Sequence, residues 1–305
     1  MNLFRSIEDI NFVRVVETAA LTYTKELHEL TYVEHGTDNI VAMANRRFVF
    51  RFPRDEKAAR RLVFETALLQ KIKGKITALP IPELLEVHTR PLYIVTKYIE
   101  GNHLSPSEIQ QLNEAEQAKV GTQLADFMFQ MNQAISGLEV RRLRSEANVD
   151  LGEEPWPQYF NRLFAQQPLP NDKLAPIVKE YFETWKQFVG GEQQTFTIHD
   201  DLNPNNMLFV GAGLSGILDF GDTNTGSIES ELRKLYGCGE IVLKAAVDRY
   251  ESLSGATIQY DHIRIWAVIH DLARFTDRLS RQDTDSTLFN QAHENLRNWI
   301  PGFPL

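Results

Sequence analysis

The chain has 305 residues, 43% hydrophobic and 24% charged, a globular composition long enough for two lobes with cores of their own. Lys and Arg number 32 against 41 Asp and Glu, a formal net charge of −9 that opposes any phosphate-tracking surface, so nucleic acid is not expected as a partner. Cys238 is the single cysteine, which excludes an internal disulfide or a cysteine zinc site, and no apolar run reaches the roughly 18 residues of a membrane span; a soluble cytoplasmic protein, without a membrane partner, is expected.

In chain order, "SIEDINFVRVVETAALTYT" opens with Ser6 as a helix cap, and Ile10, Val13 and Val16 recur in helical rhythm. From Leu30 to Pro53 the sequence reads as two or three short strands broken at His35 to Asn39 and at Ala44 to Arg46, an antiparallel meander. "RDEKAARRLVFETALLQKIKGK" has Leu62, Leu69 and Ile72 on one face and predicts a helix ending near Gly74. A proline-bounded extended segment and the apolar strand "LYIVTKYIEG" follow, up to a break at Gly101. Beyond it, the Ser-Pro-Ser start at Ser105 predicts one helix running on to Ala134. Residues 141 to 175, with Pro155, Pro157, Pro168 and Pro170, read as a loop-rich connection with one short helix. Short strands around a Gly-Ala-Gly turn and then mostly helices complete the chain, without internal repeats.

The chemistry concentrates in "HDDLNPNNMLFV", residues 199 to 210. His199, Asp201 and Asn206 are followed, thirteen residues after Asn206, by Asp219-Phe220-Gly221, the spacing of the catalytic and metal-binding loops of the kinase signature. Phosphoryl transfer asks the protein mainly for positioning and charge neutralisation: one carboxylate receives the nucleophile's hydroxyl proton, and further oxygens hold Mg²⁺ on the nucleotide phosphates. Asp201 is then the catalytic base, Asn206 and Asp219 the metal ligands, and His199 an orienting residue, while Asp200 reads as incidental. The competing reading of either half alone is an Asx-rich turn between strands.

The same signature asks for a strand cation and a helix glutamate upstream. In "FVFRFP" Val49 and Arg51 share one strand face and the phenylalanines the other, and Glu65 stands fourteen residues later in the expected helix. Arg51 stands where the pattern has lysine; arginine is always charged and grips phosphate bidentately, so it suits the role with a different head shape. "TKYIEG" reads as a linker between lobes, with the backbone of Thr96 and Tyr98 free to meet a base edge.

The order "GTDN…FVFRFPR…FETALLQKI…TKYIEG…HDDLNPNNMLF…GILDFGDT" resembles the aminoglycoside phosphotransferase and choline kinase superfamily over roughly residues 30 to 235, the 2″-aminoglycoside phosphotransferases in particular. The resemblance implies an α+β, bilobal protein-kinase-like fold with an antiparallel-sheet lobe (1–97) and a larger helical lobe (98–305). It also implies Mg²⁺ and ATP or GTP, a small hydroxyl-bearing acceptor, and Glu231 as the acid that supports the catalytic loop. No Ala-Pro-Glu follows Asp219, which argues against an ordinary protein kinase. Acceptor binding is expected on the helical lobe, where Asp271 in "WAVIHDLARFTDRL" is the candidate contact, a salt bridge to Arg274 being the alternative. Twelve acids against nine Lys and Arg after Phe220 give little charge argument for a polycationic acceptor. Kinases for amino alcohols, sugars or other antibiotics, and a catalytically silent nucleotide-binding protein, are the competing functions; a monomer or weak dimer is expected.

Overall fold

A computed structural model describes residues 10–33, 38–152, 154, 156–166, 173–189 and 195–304. Ser6, expected to cap the first helix, and Gly36, in a stretch expected to break two strands, lie outside the described residues.

The amino-terminal lobe follows from the period-two pattern. After α1 (Ile10–Tyr23), β1 (Leu30–Val33), β2 (Asn39–Ala44) and β3 (Phe48–Pro53) form a meander; α2 (Glu56–Ile72) follows, then β4 (Leu84–Thr89) and β5 (Leu92–Lys97). The five strands make one antiparallel sheet in the order β1-β2-β3-β5-β4. Phe50 and Phe52 point to one face and pack with Phe12, Val16 and Ala20 of α1. The other face carries Ile94, the cross-strand partner of Arg51, which packs with Ala59 and Leu62 of α2. Strand alternation therefore directs Arg51 toward α2. That helix starts at Asp55, whose carboxylate accepts from Ala58 N at 2.8 Å, and its Phe64, Leu68 and Ile72 reach past the sheet into the second lobe's core.

The second lobe begins with two helices where the sequence suggests one. α3 (Pro106–Gln111) and α4 (Glu114–Ala134) are separated at Leu112, and each has its own capping box, Ser105 with Glu108 and Asn113 with Glu116. Asn113 ends the first helix because its side chain satisfies the amide of Glu116 and starts a new helix, with neither proline nor glycine needed. Part of the stretch read as loop-rich is also helical: α5 (Gly137–Glu146), capped by Ser136, precedes α6 (Trp156–Asn161), a π-helical turn over Arg162–Gln166, and α7 (Leu174–Val189).

β6 (Phe196–Ile198), β7 (Met207–Val210), β8 (Gly213–Ile217) and β9 (Asn224–Gly226) follow, with β7 and β8 forming a hairpin and β6 pairing with β9. The hairpin is pinned at both ends: Ile217 N donates to Pro80 O of the first lobe at 2.9 Å, and Asn102, just past the lobe boundary, exchanges backbone hydrogen bonds with Phe209. α8 (Ile228–Leu232), a 3-10 segment over Arg233–Cys238, α9 (Glu240–Ser254), α10 (Tyr260–Ser280) and α11 (Thr287–Trp299) complete the lobe. One core joins α2, α4 and α9 to the hairpin through Leu68, Leu124, Ile217, Phe220 and Val242; a second, rich in aromatic rings, joins α6, α7, α10 and α11. No helix among the described residues is long and apolar enough to cross a membrane.

α4 and α9 approach closely at Gly121, where a β-carbon would collide with the Val242 carbonyl and lie 2.9 Å from Ala245 Cβ. Both obstacles belong to a helix, so neither yields by a rotamer change. Gly121→Ala is expected to lower stability by about 3 kcal/mol through overpacking, read as a fall in the denaturant midpoint at unchanged m-value.

Candidate active site

The residues between β6 and β7 form a loop held by its own asparagines. Asn203 Oδ1 accepts from Asn205 N at 2.9 Å and starts the 3-10 turn Pro204–Asn206, whose proline suits a first position that needs no amide donor. Asn206 Nδ2 donates to Asp201 O at 2.9 Å and to Asp201 Oδ2 at 2.8 Å. Both partners are acceptors, so the amide nitrogen faces Asp201 and the amide oxygen faces away. Asn206 O accepts from Leu218 N at 2.8 Å, which fixes the loop against the residue preceding Asp219.

His199, fully buried, makes the second link between these loops: its Nε2 donates to Leu218 O at 3.0 Å, while its ring meets Phe220 edge-on at 4.7 Å. Beneath it, Glu231 receives two backbone amides bidentately, His199 N on Oε1 at 2.9 Å and Asp200 N on Oε2 at 2.8 Å. Burial pushes the Glu231 carboxyl above its ordinary range, opposed by His199, the Asp200 amide and Arg233.

Asp200 is not incidental, which corrects its sequence reading. Its φ of 64° places it in the left-handed region, and Arg233 Nη2 grips both its carboxylate at 2.7 Å and its carbonyl at 3.1 Å. Asp219 also has positive φ, at 61°. Two aspartates in this sparsely populated region mark a backbone whose shape is imposed by its surroundings.

Asp201 carries a further partner that sequence reasoning missed: Lys234 Nζ donates to Oδ1 at 2.9 Å. Burial works against the charge on Asp201, but Lys234 overcomes it and holds the carboxyl below the usual carboxylate range. Burial in turn lowers the Lys234 ammonium below its ordinary value. A signal was present, because Lys234 follows Glu231 by three residues and so falls on the same face of one helical turn.

From the other lobe, Arg51 joins two carboxylates: Nη1 meets Glu65 Oε1 at 2.5 Å and Nη2 meets Asp219 Oδ1 at 3.3 Å. Glu65 Oε1 also accepts from Phe220 N at 3.3 Å, so α2 is bonded to the Asp-Phe-Gly segment by both side chain and backbone. Burial opposes the charge on Arg51, but Glu65 and Asp219 more than offset it, and the guanidinium titrates above its usual value. Arg61 makes a parallel link, 3.0 Å from Asp38 Oδ2 and 3.2 Å from Asp222 Oδ1. Burial raises the Asp222 carboxyl to about 6, with Arg61 opposing the shift and Asp201 and Asp219 adding to it.

Thr96 lies within β5, an inner strand of the sheet, opposite Val49 of β3 and Leu84 of β4, so its backbone is engaged in the sheet and the reading of it as free for a base edge is corrected. The reading of Tyr98 as having a free backbone needs correction, since its N–H donates to Arg47 O at 2.9 Å. The sheet's hydrogen bonding simply continues one rung past β5, and of Tyr98's two backbone groups the carbonyl is the one left for a base edge.

The donor set can be tested against Mg²⁺. Asn206 offers an amide oxygen turned away from Asp201, and Asp219 offers a carboxylate on a side chain 46% exposed. These are hard oxygen donors, and no cluster of three or more His, Cys, Asp or Glu suited to a metal occurs among the described residues. Mg²⁺ takes one or two protein oxygens and completes its shell with phosphate and water, so the pair fits that ion.

The family model described as "Phosphotransferase enzyme family" matches residues 29–255, most of the chain and the whole of this site. The chain belongs to that phosphotransferase family. No curated protein matches it at the sequence level. Solved structures share the fold: the GDP complex of an aminoglycoside 2′-phosphotransferase-IIIa has 18% identity and TM-score 0.75, covering 94% of this chain and 97% of that one. The streptomycin–ATP ternary complex of APH(2″)-IIa has 18% identity and TM-score 0.65, with 92% and 96% covered. The macrolide 2′-phosphotransferase MphH from Brachybacterium faecium has 15% identity and TM-score 0.66, with 97% and 100% covered.

In this phosphotransferase, Asp271 lies outside the loops just described. It is buried on α10, accepts from Asn295 Nδ2 of α11 at 2.7 Å, and lies 3.7 Å from Arg274 Nη1. Burial raises its carboxyl, with Arg274, Asn295 and Lys234 opposing. Its neighbour His270 packs on Trp156 at 5.0 Å, and burial holds it well below its ordinary value, as a neutral ring.

Proposed function

We propose that the protein transfers the γ-phosphoryl group of ATP or GTP to a hydroxyl of an aminoglycoside-like small molecule. The observation that carries this reading is the Asp201 carboxylate: Asn206 holds one oxygen, Lys234 the other, and Asn206 ties the loop to the residue before Asp219. A carboxylate has about four lone-pair sites, so Asp201 keeps room for an incoming hydroxyl and receives its proton as the oxygen attacks phosphorus.

Asn206 and Asp219 would hold Mg²⁺, which neutralises charge on the phosphates when bound. Arg51, anchored by Glu65, turns its charge to the phosphates, and the Tyr98 carbonyl, just past the end of β5, meets the base. His199 and Glu231 set the shape of the loop. Residues 1–97 cover the nucleotide and 98–305 take the acceptor, in a monomer or weak dimer that works in the cytoplasm. Asp271, held by Asn295 on the helical lobe, is the candidate acceptor contact.

The similar folds that were solved with GDP, or with streptomycin and ATP, support a nucleotide and an aminoglycoside as ligands; a macrolide phosphotransferase of the same fold keeps macrolides among the acceptors to be tested. The test is diphosphate release from ATP and from GTP across aminoglycosides, macrolides, amino alcohols and sugars. Acceptor-dependent release with aminoglycosides is expected. Release that no acceptor stimulates would sink the reading in favour of a silent nucleotide-binding protein.

A further inference from the structure

The catalytic loop "HDDLNPNN" contains two aspartates and no cation, so positive charge beside Asp201 has to come from another part of the chain. It comes from the turn after α8. There, Glu231 holds the amides of His199 and Asp200, Arg233 holds the carboxylate of Asp200, and Lys234 holds the carboxylate of Asp201. One short stretch thus grips three successive loop residues, and its last grip falls on the reacting carboxylate.

Lys234 is nearly buried, with its side chain 9% exposed. An ammonium has three donors, yet Asp201 Oδ1 is the single acceptor bonded to Nζ among the described residues. A buried ammonium with unspent donors is costly unless an anion completes its shell. Of the other cations, Arg61 pairs with Asp38 and Asp222 and Arg233 with Asp200, while Arg51, which the proposed reaction turns to the phosphates, pairs with Glu65 and Asp219 rather than with Asp201. Asn206 already occupies Oδ2, and a hydroxyl that shares Oδ1 with Lys234 lies about 5 Å from its ammonium, given donor–acceptor distances near 2.8 Å and trigonal lone-pair directions. A hydroxyl received by Asp201 therefore brings the phosphorus it attacks, and that phosphorus's oxygens, within reach of Lys234.

We propose that Lys234 is a catalytic residue whose ammonium bridges Asp201 and an oxygen of the phosphoryl group in transit. This rests on the reading of the site as a hydroxyl-directed phosphotransferase. In the step itself, the acceptor oxygen forms its bond to the γ-phosphorus while the bond from that phosphorus to the β,γ-bridging oxygen breaks, and the bond's electrons leave with the nucleoside diphosphate. The hydroxyl proton passes to Asp201. As that proton cancels the carboxylate's charge, Lys234, which keeps all its protons, shifts its pairing to the phosphoryl oxygens and holds the product's new charge.

The experiment uses nucleoside diphosphate and Mg²⁺ with and without fluoroaluminate, a planar mimic of the transferring group, on the full chain and on Lys234→Met. Wild type should bind the diphosphate more tightly with fluoroaluminate. The methionine variant should keep its diphosphate affinity within about threefold and lose that tightening, with acceptor turnover falling about 10²- to 10³-fold in kcat rather than in nucleotide KM. If the methionine variant does not fold, Lys234→Arg, which keeps the charge and displaces it, should show the same split in weaker form. Retained tightening, turnover within threefold of wild type, or diphosphate affinity lost in step with turnover would each overturn the proposal. Wild type that binds diphosphate and fluoroaluminate but turns over no acceptor removes the functional reading and leaves the Lys234 result legible; wild type that binds no nucleotide overturns both.

Discussion

Asp201→Ala is expected to reduce phosphoryl transfer by a thousandfold or more, in the upper part of the roughly 10²- to 10⁴-fold range for loss of a general base, while nucleotide affinity stays within about threefold. The two outcomes separate because Arg51 and the Tyr98 carbonyl share no hydrogen bond with the Asp201 side chain, and Asn206, which bonds that side chain, also donates to the Asp201 backbone carbonyl, a bond the alanine variant keeps. Asp201→Asn sharpens the test. The amide keeps the shape and one acceptor but receives no proton at neutral pH, so a loss close to that of alanine assigns the effect to proton acceptance rather than packing. Steady-state kcat with a responsive acceptor, set beside direct diphosphate binding, reads both. Residual turnover above about a tenth of wild type would remove Asp201 from its role.

Much of the fold was legible because it rests on short-range periodicity. The alternation in "FVFRFP" separates Arg51 from the phenylalanines, and the amphipathic run after Pro53 places Glu65 on the helix that Arg51 faces. The break at Asn113 was also written in the chain, as Asn-x-x-Glu, but inside a stretch of strong helix formers only the capping box distinguishes a second start from continuation. α5 was obscured by the prolines downstream of it. What local pattern cannot encode is the pairing of distant side chains. Asp200 looked dispensable because its role depends on a left-handed backbone and on Arg233, thirty-three residues away, and Lys234 meets Asp201 across the same interval. The Asp201 and Asp219 spacing stood out because loop chemistry fixes residue types at fixed offsets. The groups that hold those loops in place are constrained only in space.

Glu231→Ala should therefore cost both stability and activity, although the residue touches neither nucleotide nor acceptor in the proposed reaction. Glu231 is 1% exposed, and its removal strands the amides of His199 and Asp200 in the interior; at roughly 1–3 kcal/mol for each unsatisfied buried group, a loss of about 3–5 kcal/mol is expected in denaturant unfolding. Asp200 would also lose one of the two restraints on its left-handed backbone, the other being Arg233, so the adjoining Asp201 would leave its position. A displacement of about 1 Å at a reacting group costs on the order of a hundredfold in rate, so kcat should fall by at least that factor. Glu231→Gln separates the two effects. Its one carbonyl oxygen satisfies one amide while its NH₂ faces the other donor, so it should lose about 1–3 kcal/mol and an intermediate share of kcat, with Asp201→Ala in the same background adding much less than it does alone. Full additivity of the two substitutions would show that Glu231 supports the fold without positioning Asp201.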